Sequence, residues 1–326
     1  MAISCRVTRG DLTESIHVAF AVAVDGDGRV VFSSGDPSYL TCIRSSLKPF
    51  QAAASIKAGA VDLVKFCDEE IALMCASHQG EQVHTDTALS MLKKLDLTIE
   101  DYECGAHAPS DKKARYGLVL ADKSVLSIHN NCSGKHAGML ALAKQLGKGI
   151  KGYTKKDHPA QKIINDYVYE ISESQNIHYE IDGCSAPVPF FPLETIANMY
   201  QKLALGEKKE LKRVFNAMSA HPLLVGGTNN FDSSFIQALD GRGVTKVGGE
   251  SVRGISIKTK KYGPIGIAIK VLDGNFRALP IVTMKLLDHL EILEEKEQKK
   301  LSHYSTKILK NHNNLDVGKI EAYIDF

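Results

Sequence analysis

The segment Arg44-Ser45-Ser46-Leu47-Lys48-Pro49 sets a serine hydroxyl three residues ahead of a lysine amine and beside an arginine. Residues three apart share one face of an α-helix and eclipse one another on a 3₁₀ turn, so Ser45 and Lys48 can meet unaided. A serine is a weak nucleophile until a neighbouring base takes its proton, and a lysine is that base only when neutral. A free lysine, with its reference pKa of about 10.4, is neutral in about 1 molecule of 2500 at pH 7. A working base therefore needs about 4 kcal/mol of help from burial or from a second cation, which Arg44 can partly supply. The same spacing recurs at Ser90/Lys93 and Ser110/Lys113, where a helix cap and a solvated lysine explain it as well. Pro49 disfavours the α conformation at Lys48 and suits the first position of a helix, which places the pair on the turn before one.

Other stretches carry chemistry of their own. Ser77-His78-Gln79-Gly80-Glu81 stands at a helix–turn junction, where a hydroxyl and free backbone N–H groups can face a ligand, or where one helix ends and the next is capped. Cys132-Ser133-Gly134-Lys135 and the distant Cys184 carry either two buried free thiols or thiolates that reach one metal, for which zinc is the expected ion. His136 and Asp182 are further candidate ligands, and Lys135 can coordinate only when deprotonated. Ser133-Gly134-Lys135-His136 lacks the glycine spacing of a phosphate loop. Lys270 lies in an apolar run, Ile265 to Leu272, and by alternation shares a face with the small residues Ala268 and Gly266, leaving room for a substrate.

Certain elements must position these groups. Strands are expected over 16–24 and 29–34 around the hairpin signal Asp25-Gly26-Asp27-Gly28, and over 251–258 and 264–272. Helices are expected over 50–58, 69–76, 84–95, from the Cys132 turn to about Leu146, and over 160–173, 193–204 and 206–219. A further helix should start at Pro280 and run into the charged segment 291–302. Residues 117–121 read as a possible strand, and 181–189 as too rich in Gly and Pro for regular structure. Terminal strands bracketing a helix-rich middle give an α+β fold whose sheet joins both chain ends. One domain over 1–326 is expected, with sheet from about 1–60 and 245–326 and helices through about 61–244.

Composition narrows the class. With 326 residues, 44% hydrophobic and 24% charged, the chain has ample core for a soluble globular protein. A net charge of +2 gives no electrostatic case for a nucleic-acid or membrane partner. The longest apolar run near the N-terminus, Val18 to Val24, has the length of a buried strand. Seven cysteines, an odd number without dense spacing, point to a reducing compartment, and a cytoplasmic location is expected.

Taken in order, the motifs resemble the class 3 (rhizobial-type, asparaginase II) L-asparaginases. The resemblance runs through Val7-Thr8-Arg9-Gly10 with Glu14, Ser15 and His17, then Arg44-Ser45-x-x-Lys48-Pro49-x-Gln51-Ala52. It continues through Ser77-His78-x-Gly80-Glu81, Cys104-Gly105-x-His107-x-Pro109 and Asn131-Cys132-Ser133-Gly134-Lys135-His136-Ala137. His158-Pro159-x-Gln161, Asp182-Gly183-Cys184 with Pro187, Lys270 with Asp273-Gly274, and Asn311-His312 complete it. It implies a fold similar to serine β-lactamases, penicillin-binding proteins and glutaminases, a homodimer, and hydrolysis of L-asparagine to L-aspartate and ammonia. It also implies two serine–lysine tandems, Ser45 with Lys48 and Ser77 with Lys270. One zinc ion per subunit on Cys132, Lys135 and Cys184, with water as fourth ligand, is implied too. Arg44, Gly80, Glu81, Asn131 and His136 fall in regions implied to lie near the substrate. Two positions depart from the pattern: Ser185 stands where a glycine commonly follows the metal cysteine, and Asn230 where arginine is frequent.

These residues lead to acyl transfer, with Lys48 taking the proton of Ser45, which attacks the side-chain amide while backbone N–H groups hold the oxyanion. A penicillin-recognising acylase shares the Ser-x-x-Lys device, but neither Ser-Asp-Asn nor Lys-Thr-Gly occurs here. A glutaminase is nearer, because one methylene in a substrate changes discrimination by only about 1–3 kcal/mol. A zinc-binding interaction protein without catalysis is the alternative outside enzymes.

Overall fold

A computed structural model describes residues 2–324, and its backbone divides into two compact units. Among the described residues the first comprises 2–46, Phe191–Leu205 and 237–324; the second comprises Leu47–Phe190 and Gly206–Ile236.

The first unit is built on an antiparallel sheet, eight-stranded among the described residues. Its order is Lys307–Lys310, Asp316–Tyr323, Ile3–Arg9, Leu12–Val24, Gly263–Val271, Val252–Thr259, Gly243–Gly248, with Val30–Ser34 also paired to Leu12–Val24. Both chain ends thus enter one sheet, with Ser4 opposite Tyr323 on one side and Val18 on the other. The expected hairpin forms because Asp25 accepts from the N–H groups of Asp27 and Arg29, and Gly28 takes a φ of +81°.

The helix Leu193–Leu205 lies against this sheet at unusually close range. A Cβ on Gly254 would stand 1.9 Å from the Tyr200 ring, and one on Gly266 would stand 2.1 Å from the Ala197 carbonyl oxygen. The room expected for a substrate beside Gly266 is therefore filled by a helix. Its Tyr200 hydroxyl donates to Ser46 O at 2.7 Å, while Ser256 Oγ donates to Tyr200 O at 2.6 Å.

The second unit is organised around Ser133–Gln145, buried on every side from Ser133 to Ala143 as a central core helix must be. Gly134 and Gly138, four apart, form its closest contact: added Cβ atoms would meet Leu73 O at 2.3 Å and Met74 Cε at 2.5 Å. That approach seats the helix on Asp68–Met74. The helix Lys48–Lys57 carries Pro49 in its first turn and is buried from Lys48 to Ile56.

Some expectations fail for physical reasons. Residues 117–120 belong to a helix, Lys112–Leu120, that ends before Ala121 and that Asp111 caps by accepting from Ala114 N at 2.7 Å. Its Leu118-Val119-Leu120 run is no strand core, for Val119 and Leu120 are exposed. Within 181–189 a hairpin forms, Tyr179–Ile181 with Pro187–Pro192. Phe190 N donates to His178 O, so even-numbered residues face the partner strand and Pro187 and Pro189 need no donor there. The helix beginning at Leu279 stops at His289, beyond which Glu291 is left-handed at φ +56°, and a second helix runs Glu295–Leu301.

The glycine contacts yield a direct stability test. Gly254→Ala should cost about 1–3 kcal/mol in chemical denaturation, as overpacking does. Gly241→Ala, at an open position with φ +84°, should lose only what backbone strain costs.

Candidate active site

Lys48 is 1% exposed, so its amine must find its partners inside the protein. Nζ bonds to the Ala76 carbonyl oxygen, to Ser77 Oγ at 3.1 Å and to Asn131 O at 3.3 Å. The family resemblance implies a pairing of Ser77 with Lys270; the amine against its hydroxyl is that of Lys48. The long side chain, leaving the first residue of its helix, reaches the turn that follows the Asp68–Met74 helix. Ser77 N donates to Val225 O at 3.1 Å, which fixes that turn from the other side.

The neighbouring His78 is 1% exposed and has a defined tautomer. Gly80 N donates to Nδ1 at 3.2 Å, so Nε2 carries the hydrogen directed at Ser133 Oγ, 2.9 Å away. Glu81 N donates to His84 Nδ1 at 3.1 Å, and the Glu81 carboxylate accepts from Thr228 N and Oγ1 at 2.7 Å each. The N–H groups of Gly80 and Glu81, expected to face a ligand, are thus spent within the turn. Gly80 has φ +77° and packs on Pro109. Asn131 is tied in by its own backbone: N donates to His107 Nε2 at 2.9 Å, and O accepts from His78 N as well as Lys48.

The thiols gather one turn further on. Lys135 Nζ lies 2.8 Å from Cys184 Sγ, both buried, and Cys132 Sγ lies 3.2 Å from Asn131 Oδ1. The Cys132 thiol holds Cys184 as a thiolate, against the cost of burial and with Lys135 and His136 assisting. Burial opposes the charge on Lys135, but Cys184 and Cys132 outweigh it and keep the amine protonated. Bonding to Cys184, together with burial, pushes the Cys132 thiol up. Burial also pushes Cys104 up to about 12, reinforced by the Cys184 charge. His136 is fully buried and held below the usual imidazole range, first by burial. Its Nδ1 pairs with Tyr153 Oη at 2.7 Å, whereas Nε2 has no hydrogen-bond partner.

Two sulfurs and one nitrogen form a donor set suited to zinc. Among the described residues no three His, Cys, Asp or Glu side chains gather as a metal cluster, so the lysine nitrogen is needed to complete the set. Tetrahedral zinc with Zn–S of about 2.3 Å and Zn–N of about 2.0 Å places sulfur and nitrogen about 3.6 Å apart. Cys184 and Lys135 fit after opening from 2.8 Å and releasing the lysine proton. Cys184 sits in a tight turn, Asp182 N to Ala186 O, whose Ser185 has φ +70°. This explains the usual glycine at that position. Asn230, the second departure, accepts from Asp232 N at 2.9 Å at the start of the helix Phe231–Leu239.

In the first unit, Arg44 opens the 3₁₀ turn Arg44–Leu47 with φ +50°, and Ser45 follows half-buried. Glu250 and Ser251 are also left-handed, at φ +57° and +56°. The Arg44 guanidinium lies over Gly249, where a Cβ would come within 2.8 Å of Cζ. Three strained non-glycine residues in two adjoining turns mark a site whose geometry the surroundings enforce. Lys270 is 7% exposed, and its amine bonds to Glu250 O. Burial lowers its pKa, with Arg44 adding to the fall and Glu250, Asp273 and Cys42 opposing it.

Sequence reasoning passes over two features here. Lys246 is wholly buried and its carbonyl accepts from Ser46 Oγ at 2.8 Å, which places the strand Gly243–Gly248 beside the turn that bears Ser45. His17 Nδ1 meets Asp273 Oδ2 at 2.5 Å while Arg277 Nε donates to His17 Nε2 at 2.8 Å, bracing the turn after Lys270. Nothing in the segment Gly243-Val244-Thr245-Lys246-Val247 singles out the first; the spacing of 256 residues hides the second.

The family model for L-asparaginase II matches residues 5–322, and the chain belongs to that family, whose members are amidohydrolases. No curated protein matches it in sequence. Among solved structures, a beta-lactamase from Sphaerobacter thermophilus DSM 20745 aligns at 14% identity and TM-score 0.41, over 84% of this chain and 91% of that one. Mglu in its native form aligns at 14% identity and TM-score 0.37, over 84% of this chain and 61% of its own length. Likenesses that distant carry no argument about the site. Among the described residues, no helix is long and apolar enough to cross a membrane.

Two outcomes follow. His78 and His84 are buried, and burial holds both below the usual imidazole value. The unfolded chain therefore binds their protons first, so stability is full above about pH 6.5 and falls below it, by up to about 1.4 kcal/mol per histidine per pH unit. Urea denaturation between pH 7.5 and 5 should show that loss, and His78→Gln should flatten it. Ser185→Gly should raise stability by about 0.5–1 kcal/mol in the same assay, since it relieves a left-handed residue.

Proposed function

We propose that this chain is an L-asparagine amidohydrolase that releases L-aspartate and ammonia through an acyl-serine. Family membership supports the substrate, and the Lys48–Ser77 contact supports the chemistry. A neutral lysine amine has two hydrogens and one lone pair. Lys48 Nζ donates to the carbonyls of Ala76 and Asn131 and to Ser77 Oγ; once it gives up one proton, the two carbonyls keep its remaining hydrogens and its lone pair faces the Ser77 hydroxyl. Lys48 is thereby built to receive a serine proton and to return one.

In this reading Ser45 attacks the side-chain amide carbon and its proton goes to Lys48. Ser77 passes a proton from Lys48 to the departing nitrogen, so the C–N bond breaks with ammonia leaving as a neutral molecule. Water then enters by the same proton path in reverse and frees aspartate and Ser45. Arg44 answers the substrate carboxylate, and Lys270, its pKa lowered by burial, is the second amine of the site. Cys132, Lys135 and Cys184 would hold a zinc ion, which when bound supplies a fixed positive charge that orders the loops carrying them. Homodimer assembly and a cytoplasmic location belong to the same reading.

The test is ammonia release from asparagine and from glutamine. Asparagine should be the better substrate by kcat/KM, and Ser45→Ala and Ser77→Ala should each lower kcat at least about 100-fold, the scale of a lost proton-transfer group. An intact ammonia burst in Ser45→Ala would remove Ser45 from its role, and inactivity on both amides would remove the function. Metal analysis of Cys132→Ala should show loss of bound zinc, whatever its activity.

A further inference from the structure

The Lys135–Cys184 pair has a second chemistry, independent of substrate. Nitrogen and sulfur are 2.8 Å apart, and both side chains are at most 5% exposed. This is wider than a direct sulfur–nitrogen bond and close to the span of one bridging oxygen. We propose that Lys135 and Cys184 are a covalent modification site, at which dioxygen closes a nitrogen–oxygen–sulfur link between the two side chains.

The step balances without another reactant. The thiol gives up one hydrogen and the amine one, and two new bonds, S–O and O–N, share a single oxygen atom. The other oxygen atom leaves as water with those two hydrogens. Sulfur and nitrogen are each oxidised by two electrons, and dioxygen accepts all four. An ammonium–thiolate pair holds the same protons as an amine and a thiol, so the stoichiometry does not depend on where the shared proton rests. A dithiol reductant reverses the link.

Two neighbours compete for the oxidised sulfur. Oxidised cysteines are usually trapped by a neighbouring thiol as a disulfide. Cys132, whose sulfur also lies 3.2 Å from Asn131 Oδ1, bonds to Cys184 and is the thiol available for that. The lysine nitrogen, 2.8 Å from Cys184, is already at the span that one bridging oxygen needs. Lys135 is fixed there because Gly134 seats its helix against Leu73, and Cys184 because the 182–186 turn is closed by Asp182. Neither side chain has to travel. The link would also consume the nitrogen and one sulfur proposed for zinc, so oxidation and metal loading would exclude one another.

The experiment uses full-length protein stripped of metal with a chelator and held under ¹⁸O-labelled dioxygen. Peptide mass spectrometry without reductant should show the Lys135 peptide joined to the Cys184 peptide, with one labelled oxygen gained and two hydrogens lost. Dithiothreitol should separate them. Lys135→Arg, which keeps the charge but cannot form this link, and Cys184→Ser should each abolish the product, with circular dichroism confirming the fold. Cys132→Ala should retain it. A Cys132–Cys184 disulfide as the sole product, oxygen drawn from water, or no joined peptide would overturn the proposal. None of these readouts depends on asparagine turnover.

Discussion

A lysine amine removed from water has to be given partners by the fold, and the amine of Lys48 is given three. Ala76 closes the turn after one helix, Ser77 bears the hydroxyl, and Asn131 leads into the central helix of its unit. An unpartnered buried ammonium is far more costly than any hydrogen bond is stabilising. The position of these segments and the state of the amine are therefore one problem with one solution. A displaced Asn131 would leave Lys48 short of an acceptor, and it would also disturb Cys132 and everything that follows on that helix.

Close packing sets the precision of the rest. Gly134 and Gly138 bring the Ser133–Gln145 helix onto Asp68–Met74, so that Lys135 and His136 emerge at fixed heights from a rod that cannot slide. Gly254 and Gly266 do the same for Leu193–Leu205 on the sheet. Where glycine is absent, strain appears instead. Arg44, Glu250, Ser251 and Ser185 all hold left-handed backbone, and each lies beside a group with proposed chemistry. The fold spends stability at these four positions, as it also does in turns away from the site such as the one at Glu291.

Much of this was legible in the sequence. The hairpin at Asp25–Gly28 and the sheet joining both termini follow from turn chemistry and strand alternation. The family follows from motifs whose order spans nearly the whole chain. Partner choice was not legible, because it depends on distance in space. A three-residue spacing suggested Ser45 for Lys48, while a side chain of that length reaches Ser77, 29 residues on. Likewise Gly266 read as empty room beside Lys270, although a glycine in a strand equally admits a helix, as it does here. Gly80 and Glu81 looked like ligand-facing donors only until His78 and His84 were seen to take their N–H groups. Local periodicity also misread Leu118-Val119-Leu120, since an apolar run says nothing of burial when the helix carrying it lies on the surface.

The central claim is that an acyl group is carried by Ser45 while Lys48 and Ser77 move its proton. The most direct measurement is rapid acid quench during asparagine turnover, followed by peptide mass spectrometry of the covalent adduct. An aspartyl ester on Ser45, formed within the burst and lost on the time scale of turnover, is the expected result. The ester on Ser77, or turnover with no covalent adduct in either position, would contradict it.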